Sequence, residues 1–197
     1  MKSLPFITIF CLFLTAFSCS QQNNSVPVQE DYLAKYRDTI VGNFSGSQID
    51  TLICEPLDSI SDPHYRGFHY RWKVYAKNGS VDGILIDKTI GIKFVKEGDL
   101  DSDGAEEWGY KTIWETSNWM LYHVYTYKNR KPQYLIEPTS IWDIHLDPEN
   151  NCGVFTSQEE IVERYSSDSV KIKFSNIRND GEDFLLIDTI VPIICTN

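Results

Sequence analysis

Residues 98–107, Gly98-Asp99-Leu100-Asp101-Ser102-Asp103-Gly104-Ala105-Glu106-Glu107, carry the spacing D-x-D-x-D-G-x-x-E. Carboxylates at alternate positions of a curling chain can converge on one point, and Gly104 permits the sharp turn that this requires. Three aspartates so close together repel one another unless a cation lies between them. The ligand set is hard and all-oxygen, which suits calcium, an ion that takes roughly six to eight oxygens. Asp99, Asp101 and Asp103 would supply carboxylates and Ala105 its backbone carbonyl. Glu107 would close the shell, directly or through water. The expected role is structural, the ion pinning a loop between two strands. The alternative is a solvated Asp/Gly hairpin turn.

The loop is not an EF-hand, because Tyr110 stands where the bidentate glutamate would be and the flanks read as strands. It resembles the calcium loop of FG-GAP or VCBS repeats, which lies between two strands of a propeller-type blade. Gly98, Asp99, Asp101, Asp103, Gly104 and Glu107 fill that pattern position by position. Residues 42–52 (GNFSGSQIDTL) resemble a degenerate copy, starting 56 residues earlier, in which Asp50 falls opposite Glu107. Having lost its other carboxylates, that copy should bind nothing. A closed propeller needs at least four blades of four strands, more than the chain can supply at this repeat length. The resemblance therefore implies a blade-like sheet or a sandwich.

The elements that must hold this loop read mainly as strands. Phe68, Tyr70, Trp72, Val74 and Ala76 alternate with His69, Arg71, Lys73 and Tyr75, a period of two. Asn78-Gly79 then signals a tight hairpin, with Ile84-Leu85-Ile86 returning. Residues 90–95 and 108–114 flank the loop. Residues 119–128 are dense in aromatics, 129–132 turn, and 134–142 continue the pattern. Val170, Ile172 and Phe174 alternate with polar partners, and Asn179-Asp180-Gly181 turns into a last strand at 184–194. Two short helices are expected. One covers 30–40, where Tyr32, Leu33, Tyr36 and Ile40 share a helical face; the other covers 157–164. The fold class is all-β or β-dominated, mostly antiparallel, blade-like or sandwich, with one or two short helices.

The N-terminus has its own logic. Residues 1–18 carry one charge, Lys2, and run apolar from Leu4 to Phe17, too short to span a bilayer. Leu14-Thr15-Ala16-Phe17-Ser18-Cys19 resembles a lipobox, where bacterial signal peptidase cuts before a lipid-modified cysteine; Ala16 and Phe17 depart from the usual pattern. The resemblance implies lipidation at Cys19, and Ser20 implies an outer-membrane lipoprotein of the cell envelope, held to the membrane by its anchor. Residues 1–18 are then a signal peptide, 19–29 a lipidated cysteine with a flexible tether, and 30–197 a single β-rich domain. Loss of Lys2 takes the net charge from −10 to −11. An acidic domain without a basic patch is repelled by nucleic acid. A divalent cation, a neutral glycan or a protein partner is easier to accommodate.

Aromatic residues make up 13% of the chain, and Trp114, Trp119, Tyr122, Tyr125, Tyr127 and Trp142 could form a sugar-stacking platform or simply a sheet core. Cys54, Cys152 and Cys195 remain after Cys19, with a Cys54–Cys195 bridge or three buried thiols as the options. His123 with Asp143 or Asp147 could be drawn as a dyad, but no nucleophile motif accompanies it, and no P-loop or Rossmann pattern occurs. The expectation is a non-enzymatic binding or interaction module. A glycan-binding surface protein comes second and a small hydrolase third.

Overall fold

The computed structural model describes residues 33–61, 68–114, 117–142, 145, 161–177 and 184–195. They form twelve strands in three antiparallel sheets. The first sheet runs β1 (Asp38–Gly42), β2 (Asp50–Ser61), β3 (Phe68–Ala76), β4 (Ile84–Thr89) as a plain meander. The second repeats it with β5 (Gly91–Gly98), β6 (Glu107–Ile113), β7 (Trp119–Lys128) and β8 (Lys131–Tyr134); β9 (Thr139–Trp142) shares the far edge of β7 with β8. The third is β10 (Val162–Arg164), β11 (Ser169–Ile177), β12 (Phe184–Pro192).

Period-two patterning explains the stacking. Trp72, Val74 and Ala76 of β3 meet Phe94, Trp108, Tyr110, Tyr125 and Tyr127 of the second sheet in one core. Residues of opposite parity, Val95, Tyr122 and Val124, face the third sheet's Val162, Val170 and Ile172 in a second core. The middle sheet is thus buried on both faces, as its near-continuous apolar and aromatic strands require. Trp108 sits fully buried at its centre, edge-on to Phe94 at 5.4 Å and stacked on Tyr125 at 5.1 Å. Tyr122, Tyr125 and Tyr127, half of the proposed aromatic platform, are therefore core. Trp114, Trp119 and Trp142 are half-buried, and Trp119 pairs with Trp142 across β7 and β9.

Several expectations give way. Among the described residues the N-terminal helix is reduced to a single turn at 33–34, and Ile40 lies in β1. Ile40 satisfies either period, and pairing with Leu52 decides in favour of the strand. Val162–Arg164 is strand β10 rather than helix, with 157–160 outside the described residues. Asn78-Gly79 is not a two-residue hairpin: residues 77–83 connect β3 to β4, and only Gly79 has positive φ, +69°. The tight hairpin with both central residues at positive φ is Asn129-Arg130, at +52° and +69°. Cys54 and Cys195 are free thiols packed in different cores, so no bridge joins them. Cys19, Cys152, Asp143, Asp147 and the Asn179-Asp180-Gly181 turn lie outside the described residues.

Candidate metal centre

The acidic loop joins β5 to β6. A β-bulge at Glu97 ends their regular pairing, so Gly98, at φ +75°, lies opposite Glu107. The chain then curls through two more left-handed positions, Ser102 at +63° and Gly104 at +88°. The aspartates fasten the curl themselves. Asp101 Oδ1 accepts the Asp103 N–H at 3.2 Å, Asp103 Oδ1 the Ala105 N–H at 2.8 Å, and Asp99 Oδ2 the Gly104 N–H at 3.3 Å. These are Asx turns and a loop-closing bond, the local chemistry that suits aspartate to such positions.

Asp99, Asp101 and Glu107 converge, each offering a carboxylate oxygen within 4.8 Å of the others. Glu107 is 0% exposed. Its Oε2 accepts the Leu100 N–H at 2.6 Å, while Oε1 is buried with no hydrogen-bond partner. Asp99 Oδ1 is likewise buried and unpartnered. Burial pushes the Glu107 carboxyl up to about 8; the Leu100 N–H opposes this, and the neighbouring Asp101 and Asp103 charges reinforce it. Thr126 lies close enough to ease that charge but makes no well-formed hydrogen bond. Two buried carboxylate oxygens without donors are costly, and a cation among the three side chains would satisfy both.

Asp103 does not join this group. Its Oδ2 lies 2.7 Å from Lys128 Nζ, which also contacts Asp101 Oδ2 at 2.8 Å. Burial weakens the Lys128 charge, but the two carboxylates outweigh it and raise its proton affinity; in return Lys128 and the Ala105 N–H hold Asp103 below the usual range. Ala105 is buried, with its N–H on Asp103. No local spacing in the sequence points to Lys128. Only the β6–β7 register, Trp108 opposite Tyr125, puts Thr126 across from Glu107 and Lys128 two residues further along the same face.

The loop also touches both outer sheets. Asn43 donates its N–H to Glu106 Oε2 at 2.6 Å, accepts the Glu106 N–H at 2.9 Å, and its side-chain amide reaches the Gly104 carbonyl at 3.4 Å. Arg164 of β10 donates to Ser102 Oγ at 3.2 Å. The proposed degenerate copy is thus a neighbour of the acidic loop. Its Asp50 pairs with Gly42 as Glu107 pairs with Gly98. Asp50, however, is saturated by the Thr51, Asn78 and Ser80 N–H groups, which outweigh burial and lower its pKa.

His123 is stacked on Tyr110 at 4.5 Å and Tyr134 at 5.9 Å, with its Nδ1 buried; the acids of the drawn dyad, Asp143 and Asp147, lie outside the described residues. A cleft of about 570 Å³ lies elsewhere, between β9 and the β11–β12 pair, bordered by Thr139, Ile172, Phe174, Ser175 and Val191. The three candidate tryptophans are not among its described lining residues. The chain matches no protein-family model, no curated protein and no solved structure.

Proposed function

We propose that the chain is a cell-envelope lipoprotein whose β-rich domain carries a structural calcium site and serves as a non-enzymatic binding or interaction module. The observation that carries the calcium reading is the pair of buried, unpartnered oxygens, Asp99 Oδ1 and Glu107 Oε1, in a cluster with Asp101. Backbone already ties the second oxygen of Asp99 and of Glu107, so the free oxygens are oriented before an ion arrives. The FG-GAP-like spacing and the lipobox-like segment ending at Cys19 support the same reading from the sequence. Calcium outside the cytosol is plentiful, so a weak site suffices. Calorimetry should register calcium uptake, and EDTA should lower the melting temperature of the calcium-loaded protein. A flat titration together with an unmoved melting point would sink the reading.

One observation favours a hydrolase instead: His145 Nδ1 lies 2.6 Å from Ser175 Oγ, and Ser175 borders the cleft. Yet the Ser175 hydroxyl also accepts the Trp142 N–H at 2.8 Å and is buried, which suits a clamp between β9 and β11 better than a nucleophile. Covalent labelling of Ser175 by a fluorophosphonate would reverse that preference.

A further inference from the structure

Lys128 is an expensive residue to place where it is. Its side chain is 12% exposed, and its ammonium lies 2.8 Å from Asp101 Oδ2 and 2.7 Å from Asp103 Oδ2, both acids of the loop. Its backbone has little freedom. It is the last residue of β7, paired with Lys131 across the Asn129-Arg130 turn. That turn is itself fastened to the first sheet: Arg130 donates to the Gly79 carbonyl and accepts the Asp82 N–H, both at 2.8 Å. Ordering a long lysine side chain and stripping its water is unfavourable unless fixed negative charge repays it. The fixed charge is there, in Asp101 and Asp103.

Four carboxyl groups, of Asp99, Asp101, Asp103 and Glu107, gather at the loop, and Lys128 contacts two of them. Lys128 neutralises the Asp101–Asp103 side and leaves the Asp99–Glu107 side, where the unpartnered oxygens are. Asp101 belongs to both groups: Oδ2 is on Lys128, yet the residue also falls within the three-acid cluster. A divalent ion and the ammonium therefore compete for Asp101 and repel each other across it.

We propose that Lys128 is the resident, tethered cation of this site: it holds the loop closed when no metal is bound, and it weakens and thereby tunes the site's affinity for a divalent ion. The calcium half of this rests on the proposed metal reading; the resident-cation half does not. On ion entry Asp101 turns to the metal, and Lys128 stays on Asp103. An ion of higher charge gains more from the site than a monovalent one, because the net negative potential left by the carboxylates after the lysine's opposition acts in proportion to the ion's charge.

The test is calcium calorimetry and thermal melting on the full-length chain in a neutral detergent, comparing wild type with Lys128→Met and Lys128→Arg. Lys128→Met should bind calcium about tenfold tighter or more, since a unit charge is removed from beside the ion at low effective dielectric. Its metal-free form should melt lower than wild type. Lys128→Arg keeps the charge and should bind within about threefold of wild type. Should Lys128→Met fail to fold without calcium yet fold with it, the inference is supported. Wild type binding calcium while Lys128→Met binds no more tightly would overturn the inference and leave the metal reading standing. Calcium uptake by Lys128→Met alone would support Lys128 as the resident cation and overturn the metal reading for the natural chain. No uptake by any variant, with Lys128→Met melting like wild type, would overturn both.

Discussion

At the scale of single residues, two buried titratable groups pull stability in opposite directions with pH. Glu107, raised to about 8 by burial, keeps a proton in the native state that the unfolded chain loses near 4.5. Metal-free stability should therefore fall as pH rises from about 4.5 to 8, by a few kcal/mol in order of magnitude. His123 behaves conversely. Burial lowers it to about 4, so below 6.5 the unfolded chain gains a proton that the native state refuses, and stability should fall as pH drops from 6.5 toward 4. The metal-free protein should thus be most stable in mildly acidic solution, and calcium should abolish the alkaline limb by compensating Glu107. Glu107→Gln sharpens the point. Without metal at pH 8 it should melt no lower than wild type, because the buried charge is gone, and it should show little response to calcium. A metal-free variant that melts well below wild type at pH 8 would contradict this account. The acid cluster itself could be seen in the sequence, because the D-x-D-x-D-G spacing is local. The division of labour within it could not. Whether Asp103 serves an ion or Lys128 depends on a residue 25 positions away, brought in by a strand register that no local pattern encodes.

At the scale of elements, the loop is held by backbone conformation as much as by charge. Gly104 has φ +88° with nothing within 4 Å of where a Cβ would sit. Gly104→Ala should therefore cost about 1 kcal/mol from the left-handed conformation alone, with no steric clash. Calcium should recover part of that loss, as read by the melting shift on titration. The strands are largely legible because alternation and aromatic density are properties of each strand by itself: the aromatic run at 119–128 coincides with β7. The Asn78-Gly79 turn misled because its geometry is set from outside. The buried Asp50 carboxylate accepts the Asn78 and Ser80 N–H groups and draws the connection into a longer loop. The N-terminal helix failed for a related reason. Ile40 packs on the first core from β1, and Tyr36 from the turn before it, so the apolar face needs no helix once β2 offers an edge.

At the scale of the whole molecule, the anchor and the fold are separate questions. Radioactive palmitate should label the chain, and Cys19→Ala should lose the label; label retained in that variant would refute lipidation at Cys19. Among the described residues no helix is long and apolar enough to cross a membrane. Among the described residues, the middle sheet is the only one that borders both cores. Amide hydrogen exchange should accordingly be slowest in β6 and β7 and faster in β4 and β10; equal protection throughout would speak against this. The same layering makes the molecule close to one-dimensional. Each outer sheet has a single neighbouring sheet in the described core contacts, so its stability is its own plus one interface, and the middle sheet carries two such interfaces. In a stack of that kind, opening begins at an end and travels inward. The seam formed by Asn43, Gly104, Ser102 and Arg164 then acts as a cooperativity term: it ties the first sheet to the third through the acidic loop, so whatever stiffens the loop makes three sheets open as one unit instead of in turn.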